Sequence, residues 1–513
     1  MDKIRKLYVI SDLHLGGRPG FQMCSPESQA RLVRFIQYVT EQAKRGPVHL
    51  LVNGDIVDFL AEAPWEAFTS DAAGSLKKLY QIFDHTASVW EAWQKFLAAE
   101  YAQLTLLIGN HDAELSFAEV RQALRRKLGK GYLDIIHDNE AFVDGPVLIE
   151  HGNRYDKWNA VPHQILRDYC SRLSRREPGA VVPSIPGSKL VVQVMNRFKQ
   201  NFPFLDQLKP EIHMAIPLML AVEPAFIHAL PEFLELWEEQ RSIKLQDKHG
   251  NTLSPYVAGQ MASPIALGST EMSADESELY AELYELAAQA MAMAADAANA
   301  RPAADAADAD TNDEAPASAD ELRGQVGGTL RPTPTQPGSG VKLRNYAQAG
   351  LSLLKVLMRR KPSEQADQIA SLGETLRTFL PQMQMAFDVG KEEELYMAPA
   401  RRAILEGGFQ VVLYGHTHLA KQVNVPESGS GAPKGIYINT GTWADLMRIP
   451  EHLLAPTVDG KQFLTAFTAE LRQTGTSRLR AQNPTYALVE FDSQVKAQLL
   501  TFKDTEPAAP VQR

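Results

Sequence analysis

Short, unbroken apolar runs recur through the first 150 residues, and each stops at a polar group. Residues 7–11 run into Asp12, residues 49–53 into Gly54-Asp55, residues 104–108 into Gly109-Asn110, and residues 147–150 into His151. Runs this short, bounded this way, predict buried strands. Between them, residues 28–44 and 76–97 space their apolar positions as helices do. Alternating strand and helix predicts an α/β architecture, with the polar groups at the carboxyl ends of the strands, where such proteins place their sites.

The pattern changes after about residue 155. Residues 155–397 read as mainly helical with many prolines, and residues 287–341 are rich in Ala, Asp, Pro and Gly. Within that stretch, about 300–340 has too little apolar surface to offset the entropy of ordering, so a disordered loop is expected. Strand-like runs return at 410–414, 436–439, 486–491 and 495–502, the last two reading as a hairpin near Asp492-Ser493. The expected organisation is a catalytic domain in two parts, 1–155 and 401–513, separated by a helical insertion or cap over 156–400.

Composition narrows the possibilities. With 44% hydrophobic and 22% charged residues, the 513-residue chain is ordinary for a globular protein. A net charge of -10 argues against a broad nucleic-acid surface. The two cysteines, Cys24 and Cys170, have no metal-binding spacing and form no disulfide framework, so a reducing compartment is expected. The opening residues lack the apolar region of a secretory signal, and no run of about 18 apolar residues predicts a membrane span. A cytoplasmic location follows as an expectation.

Five motifs concentrate the chemistry: Asp12-Leu13-His14, Gly54-Asp55, Gly109-Asn110-His111-Asp112, His151-Gly152-Asn153 and Gly415-His416-Thr417-His418. They supply oxygen donors from Asp12, Asp55 and Asn110, and imidazoles from His14, His151, His416 and His418. That mixture suits a pair of divalent transition metals. In an extended segment residues i and i+2 point the same way, which would let each DxH or HxH pair face one metal. The glycines at 54, 109, 152 and 415 permit close backbone approach. A histidine taken singly is usually structural, but five of the 13 fall in these motifs.

In this order, the motifs resemble those of the calcineurin-like metallophosphoesterase superfamily over roughly 6–155 and 405–503. The resemblance implies a four-layer α/β/β/α sandwich, here interrupted by the long insertion. It also implies two divalent metal ions, manganese first among Mn, Fe, Zn, Ni and Mg. Asp12, His14 and His418 would hold the first ion, Asn110, His151 and His416 the second, and Asp55 would bridge them. His111 would contact substrate and serve as general acid or transition-state stabiliser, with Asp112 orienting it from behind. A metal-bridging hydroxide would attack phosphorus to hydrolyse a phosphate ester or pyrophosphate.

Several readings stay open. The segment 10–15 and the run Asn439-Thr440-Gly441-Thr442-Trp443 resemble the UDP-2,3-diacylglucosamine hydrolase group. Typical members carry GNRD where this chain has Gly109-Asn110-His111-Asp112. A nuclease or cyclic-nucleotide phosphodiesterase would use the same metals, and a non-catalytic scaffold is the remaining alternative. Arg154 offers either a substrate-phosphate contact or a salt bridge. Asp112 offers an N-cap as the alternative to orienting His111. Trp443 reads as core, and His163, His213, His228 and His249 as surface or packing residues. The expected partner is a phosphorylated small molecule or lipid-linked substrate. The apolar stretch 214–230, with Arg167, Arg172, Arg175, Arg176, Lys189, Arg197 and Lys199 nearby, is expected to be a helical subdomain with a buried seam. A cap making peripheral membrane contact is the alternative.

Overall fold

The computed structural model describes residues 5–177, 182, 184–199, 201–202, 205–207, 388–427, 433–447 and 480–503, isolated residues between 229 and 239, and the backbone of 251–254, 257–264 and 506–510. The expected disordered loop, the apolar stretch 214–228, and His213, His228 and His249 lie outside these residues.

The first strand, β1 (Arg5–Ile10), pairs in parallel with β2 (Val48–Asn53), which pairs in parallel with β3 (Ala102–Leu107) and through it with β4 (Tyr132–Ile136). Two short strands, β5 (Phe142–Asp144) and β6 (Val147–Ile149), begin a second sheet. A hairpin of β7 (Asn251–Ser254) and β8 (Val257–Pro264) stands alone. After it come β9 (Val411–Tyr414), β10 (Lys421–Pro426) and β11 (Pro433–Asn439), which complete the second sheet in the order β10-β11-β9-β6-β5. The first sheet gains β14 (Thr485–Phe491), β15 (Val495–Lys503) and β16 (Glu506–Pro510), giving the order β16-β15-β14-β1-β2-β3-β4. A small ladder joins β12 (Leu446–Met447) to β13 (Arg480–Ala481).

Strand alternation explains the layers. In β1, Leu7 and Val9 face the second sheet, meeting Ile149, Leu413 and Ile438, while Tyr8 and Ile10 face helices. Those helices are α1 (Pro26–Ala43), α2 (Ala72–His85), α3 (Ala87–Leu97) and α4 (Ala118–Leu128). On the other side, Tyr396, Ala400 and Ile404 of the helix Glu394–Leu405 cover Val412, Tyr414 and Tyr437. The result is helix, sheet, sheet, helix, with every strand of the centre buried on both faces and hence continuously apolar.

One expected helix divides. The spacing over 76–97 predicts one helix, but Thr86 (φ -129°, ψ 31°) separates α2 from α3. Its hydroxyl donates to the Ile82 carbonyl at 2.6 Å and accepts from Trp90 Nε1 at 2.8 Å, so the side chain stitches the two helices where the backbone turns. Among the described residues no helix is long and apolar enough to cross a membrane.

Candidate metal centre

Asp12 and His14 follow β1, Asp55 follows β2, Asn110 and His111 follow β3, His151 follows β6, and His416 and His418 follow β9. These strands run parallel within their sheets, so their carboxyl ends share one edge of the sandwich. The ligand atoms of Asp12, His14 and His418 lie within 4.8 Å of one another, and so do those of Asp55, His151 and His416. Asp55 reaches both groups, its Oδ2 lying 3.7 Å from His14 Nε2 and 3.3 Å from His151 Nε2.

The donors fit divalent cations. His14 Nε2 and His418 Nε2 stand 3.0 Å apart inside the protein, a spacing that a proton or a metal ion must reconcile. Asn110 Oδ1 is buried and, among the described residues, has no hydrogen-bond donor. An amide oxygen left so would cost about 1–3 kcal/mol, and a cation relieves it. Carboxylate, amide and imidazole donors together suit a transition metal.

The backbone holds these side chains differently from the extended alternation expected for DxH and HxH. Asp12 (φ 54°), His14 (φ 45°), Asp55 (φ 49°), His416 (φ 69°) and His418 (φ 62°) are all left-handed. Five of the seven non-glycine residues with positive φ among those described are therefore candidate ligands. Such conformations cost about 1–2 kcal/mol each in an L-residue, and they cluster where function over-determines the backbone.

Several of the candidate ligands are also oriented by hydrogen bonds. His151 Nδ1 lies 2.8 Å from the Asn53 carbonyl, an acceptor only, so Nδ1 carries the proton and Nε2 turns to the site. The His416 N–H donates to both Asp12 oxygens at 3.0 and 3.1 Å, and the His111 N–H donates to Asp55 Oδ1 at 2.9 Å. Gly109 matters through space: a Cβ there would lie 2.1 Å from Asp55 Oδ1 and 2.7 Å from Asp55 N. Gly109→Ala is accordingly expected to lose metal binding along with activity, read as bound metal per folded chain; a variant retaining its full metal content would contradict this.

Burial works to raise the Asp55 carboxyl, but His151, His111 and His14 together hold it well below its ordinary value. Burial likewise opposes a charged His151, yet Asp55 and Asp12 lift it to about 10.

The family model for calcineurin-like phosphoesterases matches residues 5–182. Over those residues the chain is similar to the calcineurin-like phosphoesterases. No curated protein matches it.

The site also has supporting residues at positions other than those expected from the sequence. Asp112 does not stand behind the His111 ring. Its carboxylate accepts from Gly109 N–H at 2.6 Å and Ile56 N–H at 2.7 Å, tying two ligand loops together, and it caps no helix. The ring partner is Asp58, whose Oδ1 lies 3.2 Å from His111 Nδ1. Burial would raise Asp58, but His111, His14 and Lys199 bring it to about 2, so it stays anionic beside the imidazole. Asp58 lies three residues after Asp55, the one signal that could have identified it.

Asp156 and Asn159 form a second support. Asp156 Oδ2 lies 3.1 Å from His416 Nε2 and accepts from Asn159 Nδ2 at 2.7 Å, while Asn159 Oδ1 accepts a longer bond, 3.4 Å, from Asn110 Nδ2. One turn thereby orients two of the candidate ligands. Asn159→Ala is expected to weaken metal binding there on the order of 10- to 100-fold, measured by manganese titration; unchanged affinity would remove the role.

Arg154 pairs with Glu150 at 3.3 Å and lines a crevice with Asn139, Glu140, His163 and the candidate ligand His151. In the 439–443 run, Asn439 Nδ2 donates to the Gly415 carbonyl at 2.7 Å, Thr442 Oγ1 donates to the Asp12 carbonyl at 2.6 Å, and Trp443 is buried in the core.

Proposed function

We propose that the chain is a dinuclear, metal-dependent phosphohydrolase acting on a phosphate ester or pyrophosphate. The observation that carries this is the meeting of Asp12, His14 and His418 with Asp55, His151 and His416 around one shared carboxylate. Asp12, His14 and His418 would hold one divalent ion, Asn110, His151 and His416 the other, with Asp55 common to both and manganese the expected metal. When bound, the ions supply Lewis acidity toward the phosphoryl group and acidify water.

The chain's own groups do the rest. His111 lines the cavity beside Asp55 and Asn110, and Asp58 holds its ring through Nδ1, so Nε2 is the nitrogen that would face substrate. In hydrolysis a phosphorus–oxygen bond to water forms, the bond to the leaving group breaks, and the departing oxygen takes a proton from His111 Nε2. The anionic Asp58 orients that imidazole, and the imidazole in turn stabilises charge developing on the phosphoryl oxygens.

The test is a manganese-supplemented screen of the full chain across phosphomonoesters, phosphodiesters, nucleotide-sugar pyrophosphates and single-stranded DNA. Manganese-dependent turnover of at least one ester class is expected. A chain that binds two manganese ions and hydrolyses none would favour a scaffold.

A further inference from the structure

The insertion reaches the cavity through one helical stretch, continuous over Pro186–Lys189, Leu190–Met195 and Asn196–Lys199. Both ends are pinned to the ligand-bearing layer. At the start, Gly187 N–H donates to the Trp158 carbonyl at 2.7 Å, and a Cβ on Gly187 would lie 2.3 Å from Asn159 Oδ1. At the end, Asn196 Nδ2 donates to the Leu60 carbonyl at 3.2 Å. The last residue, Lys199, lines the same cavity as Asp55, Asn110, His111 and His416. Its ammonium pairs with Asp206 at 2.6 Å, with the two side chains only 2% and 3% exposed.

Stability does not account for this pair. Taking two charges out of water costs several kcal/mol per ion, and apolar side chains of similar size would hold a cap as well or better. Electrostatics point the same way. An ammonium beside a centre built for two divalent cations is repelled unless an anion lies between them. In the mechanism proposed above, a single phosphate would be met by the two bound ions and His111. Lys199 adds a positive charge beyond that need, and Asp206 balances it until a ligand arrives.

We infer that Lys199 is a substrate-binding residue whose ammonium receives a second anionic group, a phosphate adjoining the one that is hydrolysed. The preferred substrates are then pyrophosphate-linked esters rather than esters of a single phosphate. This rests on the phosphohydrolase reading above and specifies its substrate class. Asp206 is the resting counter-ion of that ammonium, displaced when the second phosphate binds.

The experiment compares ADP-ribose, a pyrophosphate diester, with bis-p-nitrophenyl phosphate, a diester of one phosphate, using the manganese-loaded full chain and the variants Lys199→Met and Asp206→Asn. Loss of one charge-assisted contact is worth roughly 10- to 100-fold, so Lys199→Met is expected to lower kcat/KM for ADP-ribose by that factor, mainly through KM. Hydrolysis of bis-p-nitrophenyl phosphate should fall by less, so that the ratio of the two kcat/KM values shifts toward the single-phosphate diester. Asp206→Asn should keep or improve the KM for ADP-ribose, because the ammonium loses its competitor. Equal losses on both substrates, no loss on either, or an Asp206→Asn profile that copies Lys199→Met would each overturn the proposal in favour of a structural staple. The Asp206→Asn arm decides the matter even if Lys199→Met fails to fold. If the unmodified chain cleaves bis-p-nitrophenyl phosphate but not ADP-ribose, the substrate class is wrong while the phosphohydrolase reading stands. If it cleaves neither, both fail.

Discussion

Asp55→Asn is expected to cut manganese-supported hydrolysis of bis-p-nitrophenyl phosphate by at least about three orders of magnitude. Asp55 is the only carboxylate within 4 Å of both His14 Nε2 and His151 Nε2 among the described residues. Removing its charge removes the shared ligand and leaves His151 without its principal counter-ion. Asparagine keeps the size of the side chain and tolerates left-handed backbone better than most residues, so the loop at φ 49° should survive. The loss should therefore appear as missing metal and missing turnover in a folded chain. Metal content by elemental analysis, melting temperature and kcat together check this. A variant that retains both metals and full turnover would show that Asp55 is not shared.

His111→Ala should separate proton donation from metal binding. General acid catalysis contributes about 10²–10⁴-fold, so kcat for an alkyl phosphoester should fall by that much while both metals stay bound. The fall should be much smaller for a nitrophenyl ester, whose leaving oxygen needs little protonation. Asp58→Asn should reproduce the pattern in weaker form, on the order of 10- to 100-fold, because it leaves the ring present but unsupported at Nδ1. Equal losses across good and poor leaving groups would reassign His111 to stabilising phosphoryl charge alone.

The central strands were readable because both of their faces are buried. Residues 7–10, 50–52 and 411–414 sit between layers and are continuously apolar. Edge elements were not readable for the converse reason. In β4, Tyr132 is 60% exposed and Asp134 interrupts the apolar run, and β5 is only three residues long. Lys421–Pro426 alternates polar and apolar groups directly after a ligand motif, and the sequence reading left it without an element. The ligand set was legible because each member sits where an apolar run stops. Asp58 and Asn159 were not, since their roles exist only through partners 53 and 49 residues away. The left-handed backbone at Asp12, His14, His416 and His418 was hidden for a related reason: DxH and HxH have the same spacing whether the chain is extended or coiled back on itself.

That coiling bears on how this protein trades resilience against chemistry. Glycine at any of the five left-handed ligand positions would suit the local geometry better than the aspartate or histidine found there. A chain so altered would relax its local backbone at the cost of the buried contacts these side chains make, and would be inert. The fold thus carries local strain for the sake of its chemistry, and cations, on arriving, pull the loops together.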